Sequence, residues 1–284
     1  MKSKKNKTPL ALRIIPWLFP RVEAVVPFLA HKYFIHLFYT PFHYKTPEKE
    51  KEVLNASKQF SIIVNNKHVQ CYQWGTMGPK IMLVHGWAGR AGQFRSIIPA
   101  LLAKGFQIIA FDGPAHGRSE GKQTNPVEFA DAMKKLTETE GPIHGIIAHS
   151  FGGVASMLAI QRGLPVTRLI NISSPTIAEQ VIQNFRRALN ASPAAGLAFR
   201  EHMVKTYGFT FEDISSLHLV QHLPGPLNLL LIQDQNDPDV AVENSVELKK
   251  IYPAAVTFFT NGLGHTRILR DDAVISRCLE FLQS

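Results

Sequence analysis

Ile146-Ile147-Ala148-His149-Ser150-Phe151-Gly152-Gly153 is the stretch that decides the fold of this chain. An apolar, β-type run from Ile143 to Ala148 leads into a serine. Two glycines follow, and then a helix-compatible segment, Val154 to Ile160. A strand that turns sharply into a helix can hold a serine at a strained corner and present it as a nucleophile. Ala148 and Gly152 are small where the strand and helix backbones pass close together. A serine alone is too weak to attack an acyl carbon. It needs a base, an orienting acid and an oxyanion site.

On either side of this stretch, strands and helices alternate. Strands are expected at Ile81–Val84, Gln107–Phe111, Thr167–Ile172, Leu227–Ile232 and Val256–Phe259. Helices are expected at Gly92–Lys104, Pro126–Glu138, Phe151–Arg162, Val240–Ile251 and Asp271–Leu282. Most of the strand segments are apolar throughout, as parallel strands buried on both faces are. Before them, Phe60–Val64 and His68–Trp74 flank Asn65-Asn66-Lys67, which is a hairpin signal. Pro175 to Pro226 breaks the alternation. It lacks a strand signal and holds helical stretches at Ile177–Asn190 and Gly196–Tyr207. A helical cap that shapes and dries a substrate pocket is expected there.

Open parallel sheets carry their sites at the C-terminal ends of strands. His85-Gly86-Trp87-Ala88-Gly89 follows the first of the predicted parallel strands, and Asp112-Gly113-Pro114-Ala115-His116-Gly117-Arg118-Ser119 follows the second. Gln233-Asp234-Gln235-Asn236-Asp237-Pro238-Asp239-Val240 and Asn261-Gly262-Leu263-Gly264-His265 close the last two. With these motifs the sequence resembles the α/β-hydrolase superfamily, in its serine-nucleophile, esterase- and lipase-like branch. The resemblance covers Phe60 to the C-terminus. It implies a mostly parallel central sheet flanked by helices, with a helical cap insertion and an extra N-terminal helical segment. The expected domains are an N-terminal segment at 1–58, a hydrolase core at 59–174 and 226–284, and a cap at 175–225.

The resemblance also implies a triad in the order Ser150, Asp237, His265, with the backbone N–H groups of Trp87 and Phe151 as oxyanion donors. His85, Gly86 and His149 are expected to support these loops. Ala148 stands where the elbow usually has glycine, and Gln233-Asp234 where many relatives have His-Gly. Three aspartates compete for the acid: spacing to Val240 favours Asp237, Asp234 is the runner-up, and Asp239 reads as a cap of the next helix. The expected function is a serine hydrolase cleaving a carboxylic ester through an acyl-enzyme. A thioesterase, an amidase or a C–C bond hydrolase on the same triad is the alternative, and a non-catalytic binding protein a further one. No cofactor and no metal are implied.

Composition bounds the rest. Cys71 and Cys278 lie in no CxxC or His/Cys cluster and read as buried reduced thiols of a cytoplasmic protein. The net charge of +9 is uneven. In residues 1–50, seven Lys and two Arg against three Glu give +6, so the remainder is close to neutral and no nucleic-acid partner is expected. The same N-terminal stretch carries apolar clusters around Trp17, Phe28 and Phe34, broken by Arg13, Arg21, Glu23 and Lys32 and by Pro16, Pro20 and Pro27. It falls short of the ~18 apolar residues that span a bilayer. Short helices are expected, packed on the body of the domain or lying as a peripheral arm at a membrane surface, with a cleaved signal as the remaining alternative. The implied partner is a small acyl ester.

Overall fold

In a computed structural model of the chain, residues 10–284 are described. Helices α1 (Leu10–Val25), α2 (Pro27–Phe38) and α3 (Glu48–Asn55) precede a hairpin of β1 (Lys58–Val64) and β2 (Lys67–Trp74). Then come β3 (Lys80–Val84), α4 (Ile97–Ala103), β4 (Gln107–Phe111), α5 (Pro126–Glu140), β5 (Gly145–His149), α6 (Phe151–Gln161) and β6 (Arg168–Ile172). After α7 (Ala178–Leu189), α8 (Pro193–Tyr207) and the single turn α9 (Ser216–Leu219), the alternation resumes with β7 (Asn228–Asp234) and α10 (Glu243–Ile251). The chain ends with β8 (Val256–Thr260), the turn α11 (Gly264–Arg267) and α12 (Asp272–Gln283).

The strands form one eight-stranded sheet in the order β1-β2-β4-β3-β5-β6-β7-β8. β2 runs antiparallel to β1 and β4, and the remaining pairs are parallel. The alternation of side chains along each strand builds two cores. Met82, Val84, Ile146 and Ala148 face one, with Met133 of α5 and Met157 of α6. Ile81, Leu83 and Ile147 face the other, with Leu101 of α4 and Leu282 of α12. Because both faces are covered, these strands are apolar at consecutive positions. Cys71 lies in the first core and Cys278 in the second, both free. Burial pushes each thiol up to about 12, so neither is a reactive thiolate at neutral pH.

Two compact units are present, and their bounds differ from those expected. One joins the residues up to Tyr39 to Ala178–Asp213; the other comprises Thr40–Ile177 and Ile214–Ser284. Residues 40–58 therefore belong with the sheet. There the indole N–H of Trp74 donates to the Val53 carbonyl at 2.9 Å, and Arg90 Nη2 donates to the Tyr44 carbonyl at 2.9 Å. Leu219 and Val220 likewise join the core beside α6.

In the smaller unit, α1 and α2 share an aromatic centre with α7 and α8. Phe34 is fully buried, 4.9 Å from the ring of Phe185 and 6.4 Å from that of Phe199. Phe38 lies 4.3 Å from Phe199 and 5.6 Å from Phe211. These aromatics of the inserted helices pack their own unit. The prolines do not break α1 as expected, for it runs through Pro16 and Pro20. Pro20 has no N–H to give the Pro16 carbonyl four residues earlier. The side-chain amide of Asn190 donates to that carbonyl instead, at 3.0 Å. Pro27 does start a new helix, at the first position of α2. The expected helix from Gly92 begins instead as a 3₁₀ turn at Ala91–Phe94, whose first N–H, that of Ala91, donates to the Asp112 carboxylate at 2.9 Å. Among the described residues, no helix is long and apolar enough to cross a membrane.

Candidate active site

β5 delivers Ser150 to the first position before α6, with φ 52° and ψ −124°. An L residue in this left-handed region is strained, and such strain gathers at functional sites. The corner is held by the Ser150 N–H donating to the Ile172 carbonyl at 2.9 Å and the Gly153 N–H donating to the Ser150 carbonyl at 2.9 Å. Gly152 allows α6 to leave beside β3, since a Cβ there would sit 2.4 Å from the Val84 carbonyl oxygen. Gly86 passes equally close to the serine, where a Cβ would lie 2.9 Å from that of Ser150.

His265, on α11 after β8, places Nε2 3.1 Å from Ser150 Oγ. Its Nδ1 lies 2.8 Å from Asp237 Oδ2. An ionised carboxylate only accepts, so Nδ1 carries the proton and Nε2 is left to accept from the serine hydroxyl. Asp237 is itself fixed. Its Oδ1 accepts the N–H groups of Asp239 at 2.8 Å and Val240 at 3.0 Å, and Gln233 Nε2 donates to Oδ2 at 3.4 Å. Burial alone would raise this carboxyl, but the hydrogen bonds from His265, Val240 and Asp239 hold it below the usual aspartate value.

Asp234 faces elsewhere. It accepts from Thr260 Oγ1 at 2.8 Å, the Leu263 N–H at 2.9 Å and the Asn236 N–H at 3.0 Å, and so ties the β8 loop to β7. Asp239 does not cap the following helix, whose N-cap is Val242. Asp237, Asp239 and His265 offer ligand atoms within 4.8 Å of one another. A cation there would have to break the Asp237–His265 pair.

Phe151 opens α6, so its N–H has no partner within the helix. Trp87 lies on the loop after β3, and the two rings meet edge to face at 5.1 Å. Two histidines brace this loop. His85 Nδ1–H donates to the Gly86 carbonyl at 2.8 Å while Nε2 accepts the Gly113 N–H at 2.8 Å. His116 Nδ1–H donates to the Pro114 carbonyl at 3.0 Å while Nε2 accepts the Ala88 N–H at 3.0 Å, beside the left-handed φ of 56° at Ala88. Burial keeps both neutral, lowering His85 to about 4 and His116 to about 3. Asp112 completes the brace, accepting from the Ala91 and Arg118 N–H groups and from Tyr72 OH at 3.0 Å. His149 supports the opposite side. Its Nε2–H donates to the His265 carbonyl at 2.8 Å, and burial followed by the nearby His265 lowers it to about 3.

Sequence reasoning missed two of these groups. Gln233 holds the acid loop by donating to the Val240 carbonyl at 2.9 Å, and Asp234 anchors the histidine loop. Both sit at the C-terminal end of an otherwise apolar strand, where a buried polar side chain is itself a signal.

A sheet of this order with a strained serine at its centre is the architecture of the α/β hydrolases. The chain belongs to that family, whose model, for the alpha/beta hydrolase fold, matches residues 79–223. It is a hydrolase of this class. Over 240 residues it is 27% identical to the sn-1-specific diacylglycerol lipase ABHD11 of Xenopus laevis, covering 68% of this chain and 76% of that one. It is 30% identical over 131 residues to a pimeloyl-(acyl-carrier protein) methyl ester esterase of Photobacterium profundum, covering 42% of this chain and 50% of the relative. An esterase structure from Pyrococcus furiosus shares the fold with a TM-score of 0.65 at 21% identity, over 86% of this chain and 96% of that one.

Proposed function

We propose that the chain is a carboxylic-ester hydrolase working through an acyl-enzyme on Ser150. The observation that carries this reading is the line of contacts from Ser150 Oγ through the His265 ring to Asp237. As Oγ bonds to the substrate carbonyl carbon, its proton moves to His265 Nε2. Asp237 keeps the ring in the required tautomer and stabilises the imidazolium. The N–H groups of Trp87 and Phe151 receive the oxyanion, and losing one such donor typically costs about 10²–10³ in rate. The alkoxide leaves with the proton held by His265. Water then attacks the acyl carbon, giving a proton to the same nitrogen, and the acid departs as that proton returns to Oγ. The lipase and esterase named among the relatives favour an ester over an amide or a carbon–carbon bond.

Labelling with a fluorophosphonate tests the reading. Wild-type protein should take up one label at Ser150, and Ser150→Ala should abolish both labelling and cleavage of p-nitrophenyl esters without loss of fold. Retained cleavage, or a label at another serine, would overturn it. A series of p-nitrophenyl esters of increasing acyl length then defines the acyl preference.

A further inference from the structure

Helices α1 and α2 are apolar on two sides. Phe19, Ala30 and Phe34 point inward and are buried. Ile14, Trp17, Leu18 and Val25 recur along the outward side of α1 at helical spacing, and Phe28, Leu29 and Tyr33 along that of α2. Their exposure is high: 59% for Trp17, 79% for Val25, 68% for Phe28 and 57% for Leu29. Among the described residues, eight of the twenty exposed large apolar side chains lie between Ile14 and Tyr33, so they form a concentration rather than a scatter.

The charges on these outward sides have one sign. The Arg21 guanidinium lies over the Trp17 ring at 4.0 Å, and the Lys32 ammonium over the Phe28 ring at 4.5 Å. Glu23 is the one acid between Ile14 and Tyr39, and it is turned inward. There it accepts from the Ser192 N–H and hydroxyl at 2.9 and 2.6 Å and pairs with His31 at 3.1 Å. Lys2, Lys4, Lys5, Lys7 and Arg13 add further positive charge to the same end of the chain.

We infer that the outward sides of α1 and α2 dock on an anionic lipid surface, with Trp17, Val25, Phe28 and Leu29 among the acyl-chain ends and Arg21 and Lys32 at the phosphates. Aromatic rings that carry a cation match the boundary between hydrocarbon and headgroup, where rings of this kind settle and basic residues meet anionic lipid. A second copy of the chain fits this surface poorly. A two-fold contact would bring together two patches that each carry Arg21 and Lys32 and no outward-facing acid to pair with them. The inference goes beyond ester hydrolysis and does not depend on it.

The test is co-sedimentation of the full chain with phosphatidylcholine vesicles, with and without phosphatidylglycerol. Binding should require the anionic lipid and weaken with salt. Trp17 fluorescence should shift to the blue on binding, and Trp17→Phe should bind while losing the shift. The double variant Trp17→Ser/Phe28→Ser should lose at least tenfold in partitioning, and Arg21→Gln/Lys32→Gln about thirtyfold. In all three variants, cleavage of a soluble short-chain ester should stay at the wild-type rate. Three results would overturn the inference. One is a full chain that ignores anionic vesicles. Another is a Trp17→Ser/Phe28→Ser variant that partitions like wild type, which would leave the terminal lysines as the whole of the binding. The third is a dimer in the absence of lipid that the same substitutions dissolve.

Discussion

Replacing Asp237 by asparagine changes one atom, and the structure dictates which way the new amide must face. Oδ1 accepts two backbone N–H groups, from Asp239 and Val240. If the amide nitrogen took that place, it would confront two donors and leave both without an acceptor, at a cost of roughly 1–3 kcal/mol for each. The amide oxygen therefore stays on the loop, and the NH₂ group is aimed at His265 Nδ1, 2.8 Å away. Nδ1 must now accept, so the ring proton moves to Nε2 and points at Ser150 Oγ. The base has lost its lone pair where it is needed. The expected loss is about 10⁴ in kcat, or about 5.4 kcal/mol of barrier. KM should change little and the urea midpoint only modestly, because both hydrogen bonds of Oδ1 survive and the long bond from Gln233 to Oδ2 is the one lost. Hydrolysis of p-nitrophenyl butyrate at neutral pH measures the rate, and a urea melt measures the fold. A loss below tenfold in a folded variant, or a larger loss from Asp234→Asn in an equally folded one, would refute the assignment of the acid.

Two further outcomes follow from burial. His85, His116 and His149 are neutral in the native chain, lowered to about 4, 3 and 3 by burial. Above about pH 6.5 neither folded nor unfolded chain binds these protons, and below it only the unfolded chain does. Stability should therefore fall as the pH drops through about 6.5 toward 4.5, and His116→Gln should flatten that fall by about a third, as read from urea melts at several pH values. Deleting residues 1–39 should strip Phe19, Phe34 and Phe38 from the smaller unit, each contributing on the order of 1.5–3 kcal/mol. Limited proteolysis should then cut rapidly within Ala178–Asp213, and a truncated chain as resistant as the intact one would contradict this packing.

The alternation of apolar runs with helical segments was enough to read the parallel strands, because burial on both faces leaves a mark at every residue. Ser150 and His265 were legible for a related reason: each stands at the end of such a run beside glycines that only a tight corner requires. The choice among Asp234, Asp237 and Asp239 is of another kind. All three lie on one loop, and what separates them is which carboxylate the loop's own N–H groups turn toward the imidazole. Spacing to Val240 ranks Asp237 first, but it does not show where those N–H groups point. The partnership of Phe34 with Phe199 was equally hidden. Periodicity shows that a helix has an apolar side, but not which distant helix covers it. Pro16 and Pro20 predict a break that α1 does not have, because the acceptor freed by Pro20 is satisfied by Asn190, far along the chain.

That debt of α1 to Asn190, and of Phe34 to Phe199, has a consequence for the order of biosynthesis. The first helices leave the ribosome long before the segment that completes them. Phe34 precedes Phe199 by 165 residues in the sequence. At about 5–20 residues per second this is a wait of roughly ten to thirty seconds. During that interval neither Asn190 nor Phe199 exists, so the Pro16 carbonyl and the inward side of α2 lack partners that they have in the finished protein, and Phe34 has only Phe19 of α1 among its aromatic neighbours. The inward side of α2 is thus an apolar surface that the chain can cover in full only when translation has passed Phe199.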